Sequence, residues 1–387
     1  MKISIPEYVK KAIAELNSRG FEAFVAGGAV RDALLGMSPD DWDITTNAHV
    51  FDVQNIFPRH FDTGIKHGTV TALVEGKPIE ITTYRIEGDY ENNRRPSSVE
   101  FTSNLSEDLK RRDFTINAMA YNDEKGLVDL FGGEDDLKNK VIRCVGNPDE
   151  RFTEDALRIM RAVRFSSRLG FEIEPETLKS IQKNCHLLKN ISAERVQSEL
   201  VKTLLTGADV DILFSSGIME IILPEISNNS KLVNSVFADK ELKLSALFYG
   251  TEDALCRNLL NRLKFDNKTK YNVLQILKCS TMEFPDDEVS SRQRLRDFGD
   301  EILEKTILLW KICEKDVEKC ENAERILSKT KLQPHSLSML AVDGNDLKNI
   351  GISGVEIGKT MAFLLDEVIK NPELNTKTQL LNLLTEK

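Results

Sequence analysis

The sequence predicts an α/β head with a small mixed sheet, followed by an all-α region. Residues 20–145 contain short strand-like runs mixed with helical stretches and Gly-rich turns. The turn at residues 75–78 joins two alternating runs, which indicates an antiparallel hairpin within the sheet. From about residue 148 onward, Leu, Ile, Lys and Glu recur at helical spacing. The strand candidates are residues 21–26, 69–74, 79–84 and 141–145.

The composition is that of an ordinary globular protein. With 387 residues, the chain exceeds the size of a single hydrophobic core, so two or more core-forming units are expected. Hydrophobic residues make up 41% and charged residues 29%, and no apolar run approaches the roughly 20 residues that span a bilayer. The N-terminus has no apolar signal core. We therefore expect a soluble, cytoplasmic protein with no membrane partner.

Cysteine content and charge narrow the possible functions. The six cysteines include no Cys-x-x-Cys pair, which argues against a disulfide framework and a zinc knuckle. The formal net charge is −10, whereas binding to a nucleic-acid backbone needs concentrated Lys and Arg. Any RNA-binding face must therefore be a local basic patch on an acidic body. Two basic clusters in the helical region suit that role, the alternative being solvated surface: Arg257, Arg262, Lys264, Lys268 and Lys270, then Arg292, Arg294 and Arg296.

The first strand candidate ends in a Gly-Gly turn. Gly27 and Gly28 lead into a short helix that is closed by Gly36. Glycines let a phosphate approach the backbone, and a helix N-terminus supplies free N–H groups. Arg31, one turn into this helix, is placed to bind the outer phosphates. The alternative is a plain strand-to-helix turn, because nothing here matches the Walker pattern.

Two aspartates follow shortly in the chain, with one tryptophan between them. Alternate side chains of a strand share a face, so the carboxylates of Asp41 and Asp43 are expected to project together, about 7 Å apart at their Cα atoms. Two carboxylates beside a phosphate-binding turn suit two-metal phosphoryl transfer with Mg²⁺. The alternative is an acidic turn, because residues 39–41 have turn chemistry. Glu80, in another strand candidate, is a possible third carboxylate.

Four motifs in order point to a family. They are residues 27–32, 41–43, 111–118 and 154–158. In this order they resemble the motifs of the bacterial class II tRNA nucleotidyltransferases, the CCA-adding enzymes, which share the polymerase-β-like superfamily with bacterial poly(A) polymerases. The resemblance continues weakly toward the C-terminus through residues 343–347 and 351–354, where Ser353 stands in place of a proline that the family often has.

This resemblance implies a nucleotidyltransferase fold and an activity, the template-independent addition of C, C and A to the 3′ end of tRNA. The implied substrates are CTP, ATP and tRNA, and the implied cofactor is Mg²⁺, with Asp41 and Asp43 as catalytic metal ligands. The oligomeric state stays open. The implied domains are a catalytic head (1–145), a helical neck with a nucleotide-templating helix (146–205), a helical body (206–280) and a helical, tRNA-binding tail (281–387).

The motif at residues 111–118 is assigned to the nucleotide by the same resemblance. Arg112 is expected to contact the phosphates, and Asp113 with Asn117 the ribose, where the 2′-hydroxyl distinguishes NTP from dNTP. Arg is a preferred phosphate ligand, and a carboxylate accepts a hydrogen bond from a hydroxyl. The alternative is an Arg-rich helix end that is held by Asp113.

A predicted helix over residues 154–168 carries the base-reading residues. Asp155, Arg158, Arg161 and Arg164 recur every three residues and form an oblique polar stripe. A carboxylate beside a guanidinium offers an acceptor beside a donor, which matches the base edges of C and A and opposes those of U and G. The family gives Asp155 and Arg158 this templating role, with Arg161 and Arg164 completing the pocket. The alternative is a solvated face with ion pairs from Glu154 and Asp155 to Arg158.

Full CCA addition is the expected activity because the polar segment at residues 85–96 has the full length that CCA-adding members of the resembling family retain. In the resembling family, enzymes restricted to CC addition lack part of this segment, which is expected to be a mobile loop near the metal site. The alternatives are a partial CC- or A-adding enzyme, a poly(A) polymerase, or a non-catalytic tRNA-binding protein. The presence of Asp41 and Asp43 argues against the last of these.

Overall fold

The computed structural model describes residues 2–88, 90–91, 95–96, 99–207, 209–313 and 316–385. By internal contacts the chain divides into two compact units, one ending at Glu225 and the other beginning at Ile226. This boundary falls inside the predicted body, and the four-part domain division remains a prediction. In the described part of the chain, none of the helices combines the length and the apolar character that a bilayer crossing requires.

The first unit contains a seven-stranded sheet, and its combination of parallel and antiparallel pairs confirms the predicted mixed sheet. The strands among the described residues are β1 (Ala23–Ala26), β2 (Ile44–Thr46), β3 (His60–Gly64), β4 (Thr69–Val74), β5 (Lys77–Thr83), β6 (Arg85–Glu87), β7 (Tyr90–Glu91), β8 (Arg95–Pro96), β9 (Val99–Phe101), β10 (Met119–Asn122), β11 (Gly126–Asp129), β12 (Val141–Ile142) and β13 (Glu172–Ile173). The strand order of the main sheet is β11-β10-β1-β2-β5-β4-β3, and β2 and β5 pair in parallel while the other ladders of this sheet are antiparallel.

The predicted hairpin is confirmed between β4 and β5. Glu75 and Gly76 both have positive φ, 53° and 78°, which is the backbone of a two-residue hairpin turn. The run at 141–145 is different from its prediction, because only Val141 and Ile142 form a strand, and they pair with β13 outside the main sheet.

The polar segment at residues 85–96 contains short ladders. β6 pairs with β9 and β7 pairs with β8, both antiparallel, so backbone hydrogen bonds organise a segment that has few apolar residues. The expected mobile loop also includes Asp89 and residues 92–94, which lie outside the described residues.

Helices of the first unit cover the sheet and then extend beyond it. Phe24, Tyr84 and Leu109 form part of the core beneath the sheet. The helices are α1 (Glu7–Ser18), α2 (Gly28–Leu34), α3 (Val50–Ile56), α4 (Leu105–Lys110), α5 (Gly133–Asn139), α6 (Pro148–Glu154), α7 (Leu157–Leu169), α8 (Pro175–Asn184), α9 (Ala193–Leu204), α10 (Asp211–Ser215) and α11 (Ile218–Ile222).

The second unit is helical, as predicted. Trp310 is fully buried and its indole N–H donates to the carbonyl of Ser280 at 2.9 Å. A second core cluster near the C-terminus includes Leu347, Leu364 and Leu380. The helices are α12 (Ser230–Asn234), α13 (Lys240–Leu247), α14 (Asp253–Arg262), α15 (Asn267–Ser280), α16 (Glu288–Phe298), α17 (Asp300–Ile312), α18 (Val317–Thr330), α19 (Gly344–Asn349), α20 (Val355–Lys370) and α21 (Lys377–Thr385).

Candidate active site

One cavity of about 920 Å³ in the first unit gathers the residues that the motifs predicted. This volume is ordinary for a small-molecule site. Among the described residues, nine arginines and six aspartates line the cavity, so a positive surface exists in a protein with a net charge of −10. Its wall includes every residue assigned from the sequence: Gly28, Arg31, Asp41, Asp43, Arg112, Asp113, Asn117, Asp155, Arg158, Arg161 and Arg164.

The Gly-Gly turn brings an arginine close to the backbone. Gly27 has φ = 75°, and a Cβ atom there would lie 2.7 Å from Nη1 of Arg112. The backbone conformation favours glycine, because residues with a Cβ rarely adopt this φ. Gly28 begins α2, and the Arg31 side chain that follows is only 2% exposed.

Arg31 is held by neighbours on the cavity floor. Its Nε donates to Asp32 at 2.7 Å and its Nη1 donates to Oδ1 of Asn117 at 2.6 Å. Arg168 of α7 meets the same Asp32 carboxylate at 3.3 Å. These contacts connect α2 with α7 across the cavity floor.

Asp41 and Asp43 lie just before β2, so the prediction that they sit on a strand is wrong. The backbone is nevertheless extended there, because the carbonyl of Asp43 accepts from the N–H of Ala26 at 3.1 Å and continues the ladder with β1. Trp42 between them is buried, whereas both aspartates are exposed and line the cavity. The predicted alternation of side chains therefore holds.

Glu80 is the neighbour of Asp43 across the parallel pair. Ile44 is paired with Ile81, which places the preceding residues side by side, and both carboxylates line a second cavity of about 200 Å³. Although Asp43 is exposed, the cavity walls crowd it. This desolvation, with the negative charges of Glu80 and Asp41, raises the pKa of Asp43 to about 6 against the opposing effect of Arg112.

These carboxylates fit a divalent cation, because a positive ion would offset the desolvation and the neighbouring negative charges that raise the pKa of Asp43. Within the described ranges, no three Asp, Glu, His or Cys side chains gather closely enough to form a metal site from protein groups alone. Mg²⁺ does not need such a site, since it commonly takes one or two carboxylates and completes its shell with water and substrate phosphates.

Arg111 and Arg112 are held by Asp108, a residue that the sequence analysis did not single out. Asp108 is wholly buried, and it accepts from Arg111 at 2.7 Å, from Arg112 at 3.2 Å and from Thr45 at 3.1 Å. Burial opposes the ionised carboxylate, but Arg112 and Arg111 outweigh it and lower the pKa of Asp108. The sequence signal for these pairs was that Arg111 and Arg112 follow Asp108 by three and four residues, the spacing at which side chains meet on one helical turn.

Asp113 and Asn117 meet in the cavity as predicted, together with an arginine of α7. Arg161 donates to Oδ2 of Asp113 through Nε at 2.8 Å and Nη2 at 2.6 Å. Asn117 donates to Oδ1 at 3.0 Å. Burial alone would raise the pKa of Asp113, but Arg161 and Asn117 bring it to about 2. The Asp113 carboxylate therefore binds Arg161 of α7. The alternative prediction was that it would hold an Arg-rich helix end.

The predicted helix over 154–168 is broken at Asp155, which corrects the sequence interpretation. Asp155 is the C-terminal cap of α6, and its Oδ1 accepts from the N–H of Leu157 at the start of α7. Its Oδ2 accepts from Arg195 of α9 at 3.0 Å. Asp is a favoured residue at such helix starts because its side chain satisfies a free N–H group.

Arg158 is 7% exposed, so this part of the stripe is not a solvated face. The expected pair with Glu154 is present at 2.6 Å, and Arg158 Nη2 also donates to the carbonyl of Arg111 at 3.0 Å. Arg164 pairs with Glu199 of α9 at 2.6 Å. The sequence interpretation missed Arg195 and Glu199. They lie four residues apart on α9, a spacing that places both side chains on one face of the helix.

The two basic clusters of the helical region differ. Arg292 of α16 is 3% exposed and donates to the carbonyl of Ile369, and Arg296 pairs with Asp297 and Asp366. These arginines serve the packing of their own unit. The cluster between α14 and α15 is open instead, with exposed Lys264, Lys268 and a Tyr271 that is 56% exposed.

Comparisons with known proteins agree with this architecture. A family model described as "Poly A polymerase head domain" matches residues 23–143. A second, "Probable RNA and SrmB- binding site of polymerase A", matches residues 170–229, and a third, for domain 2 of tRNA nucleotidyltransferases, matches residues 236–384.

Full-length relatives carry the same similarity. A CCA-adding enzyme of Lactobacillus helveticus is 37% identical over 386 residues, which cover 95% of this chain and 94% of the relative. One of Ligilactobacillus salivarius is 43% identical over 286 residues, covering 72% and 69%. The crystal structure of the Bacillus stearothermophilus CCA-adding enzyme in complex with CTP is similar with a TM-score of 0.80 and 31% identity, covering 99% of each chain.

Proposed function

The chain belongs to the CCA-adding enzyme family, and from this premise we propose that it adds C, C and A to the 3′ end of tRNA from CTP and ATP, releasing pyrophosphate. One observation carries the proposal. A single cavity holds a carboxylate pair, a cluster of arginines and an Asp–Arg base-reading set, which are the three components that template-independent nucleotidyl transfer needs.

The metal site is assigned to Asp41 and Asp43, with Mg²⁺ as the ion and Glu80 beside them. A bound divalent ion supplies charge neutralisation at the phosphates and a lower pKa for the attacking hydroxyl. Asp41 and Asp43, whose exposed carboxylates line the cavity, would hold this ion. The 3′-hydroxyl oxygen of tRNA forms a bond to the α-phosphorus of the nucleotide, the bond to pyrophosphate breaks, and the hydroxyl proton passes to water.

The other cavity residues are assigned by the part of the nucleotide that each would meet. Arg31 and Arg112, next to the Gly27–Gly28 turn, bind the triphosphate. Asp113 and Asn117 bind the ribose. Asp155 and Arg158 read the base edge, and Arg161 and Arg164 complete the pocket; all of these side chains line the cavity.

tRNA is the partner that receives the nucleotides, and we assign its phosphates to basic surface that includes the open α14–α15 cluster. Lys264 and Lys268 are exposed there, and the exposed Tyr271 ring offers a stacking surface. The cytoplasm is the proposed location, since tRNA and nucleoside triphosphates are found there.

The test is incorporation of labelled CTP and ATP into tRNA that ends before CCA, with the added nucleotides sequenced and tRNA already ending in CCA as the control. Addition of C, C and A, then arrest, supports the proposal. Arrest after two C residues would indicate a partial enzyme, runs of A would indicate a poly(A) polymerase, and the absence of any addition would refute catalysis.

A further inference from the structure

Three arginines of the cavity converge on one aromatic ring. The guanidinium carbons of Arg31, Arg161 and Arg164 lie 5.0, 5.3 and 4.5 Å from the centroid of the Phe165 ring. Phe165 belongs to α7 and is 4% exposed. Its ring also meets that of Phe114 edge-on, with centroids 5.8 Å apart and planes at 80°.

The arrangement gathers like charges that are largely withdrawn from water, because the side chains of Arg31, Arg161 and Arg164 are 3%, 33% and 14% exposed. Burial lowers the pKa of Arg164, Glu199 opposes this effect, and the positive charge of Arg161 lowers the pKa further. Each of the three guanidinium groups contacts one carboxylate, on Asp32, Asp113 or Glu199. The negative face of an aromatic ring attracts cations within about 6 Å, most strongly at desolvated sites. An aliphatic side chain fills the same space but offers no such attraction.

The ring also joins two parts of the cavity. Arg31 comes from α2, next to the phosphate-side turn, whereas Arg161 and Arg164 come from α7, which carries the base-reading residues. A shift of the ring would therefore move arginines on both sides of a bound nucleotide.

We propose that Phe165 is a positioning residue of the nucleotide pocket, whose ring electrostatics hold Arg31, Arg161 and Arg164 where they meet the nucleoside triphosphate. The inference rests on the proposed function, because it takes the occupant of the cavity to be CTP or ATP. It requires that nucleotide affinity follow the negative charge on the ring face, and not only the volume of the side chain.

Fluorinated phenylalanines test this requirement, since each added fluorine weakens the ring face with little change in size. Mono-, di- and trifluorophenylalanine are placed at position 165 of the full chain, and KM, kcat and Tm are measured with CTP, ATP and truncated tRNA. KM for both nucleotides should rise stepwise, reaching about tenfold for the trifluoro ring, while Tm changes little. Phe165→Leu should raise KM at least as much.

Phe152 provides the matched control. It is fully buried on α6 and is not part of the cavity wall, so the same fluorinated series there should leave KM within twofold. An unchanged KM across the series at Phe165, with or without a lower Tm, would overturn the inference and leave the proposed function intact. If the unmodified enzyme binds neither CTP nor ATP, the proposed function fails, and the inference fails with it.

Discussion

Replacing Arg195 with Gln should weaken the selection of C and A over U and G. Arg195 donates to Oδ2 of Asp155 at 3.0 Å and so fixes the carboxylate assigned to the base edge. A hydrogen bond between charged groups contributes about 1.5–3 kcal/mol. The Arg195 and Asp155 side chains are 33% and 18% exposed, so solvent screening reduces this to about 1 kcal/mol. That energy corresponds to roughly a fivefold loss of discrimination.

The assay compares kcat/KM for CTP and UTP, and for ATP and GTP, on tRNA that lacks the corresponding nucleotide. Arg168→Gln is the matched control, because Arg168 also lines the cavity and is 35% exposed, but it pairs with Asp32 on the phosphate side. This control should raise KM for all nucleotides alike and leave their ratios unchanged. If the Arg195 variant kept its discrimination within twofold and lost only tRNA affinity, Arg195 would be an RNA contact and the reasoning would be refuted.

Three further predictions concern the metal pair, the buried carboxylate and the basic surface. Asp43→Asn should abolish incorporation of both nucleotides while tRNA affinity, measured by filter binding, persists; retained turnover would contradict the metal assignment. The pKa of Asp113 is lowered to about 2, so the ionised carboxylate contributes fully to stability above the ordinary aspartate pKa near 4, and this contribution is lost as pH falls toward 2. Between these pH values, the Tm of Asp113→Asn should fall less steeply with decreasing pH than the Tm of the unmodified protein. An equal slope of Tm against pH would contradict this account. Reversing Lys264 and Lys268 to Glu should raise the Kd for tRNA and flatten its salt dependence without changing KM for CTP. Lys138→Glu, a reversal at an exposed site of α5 outside the predicted tail, should have little effect. Equal effects at both places would remove the α14–α15 cluster from the interface.

Local periodicity and motif order predicted much of the site. The alternating pattern of the 69–84 region predicted the β4–β5 hairpin, and the order of four motifs predicted residues that line one cavity. Such signals are visible in a sequence because they depend on neighbours within a few positions.

Features that depend on distant partners were not predictable in the same way. The helix break at Asp155 depends on a cap to Leu157 and on Arg195, which is 40 positions away in the chain. The role of Asp108 depends on Thr45 of β2 as well as on its own helical turn. A single sequence does not reveal which residues tertiary packing will bring to a carboxylate.

The pairing of pocket arginines with the protein's own carboxylates has a consequence for turnover. Asp113 pairs with Arg161, Glu199 pairs with Arg164 and Glu154 pairs with Arg158. A nucleotide that binds to these arginines competes with the carboxylates that already pair with them. Its affinity therefore reflects an exchange of hydrogen-bonding partners and not the full strength of each new contact. When the added nucleotide moves out of the pocket, the same carboxylates are again available to these arginines.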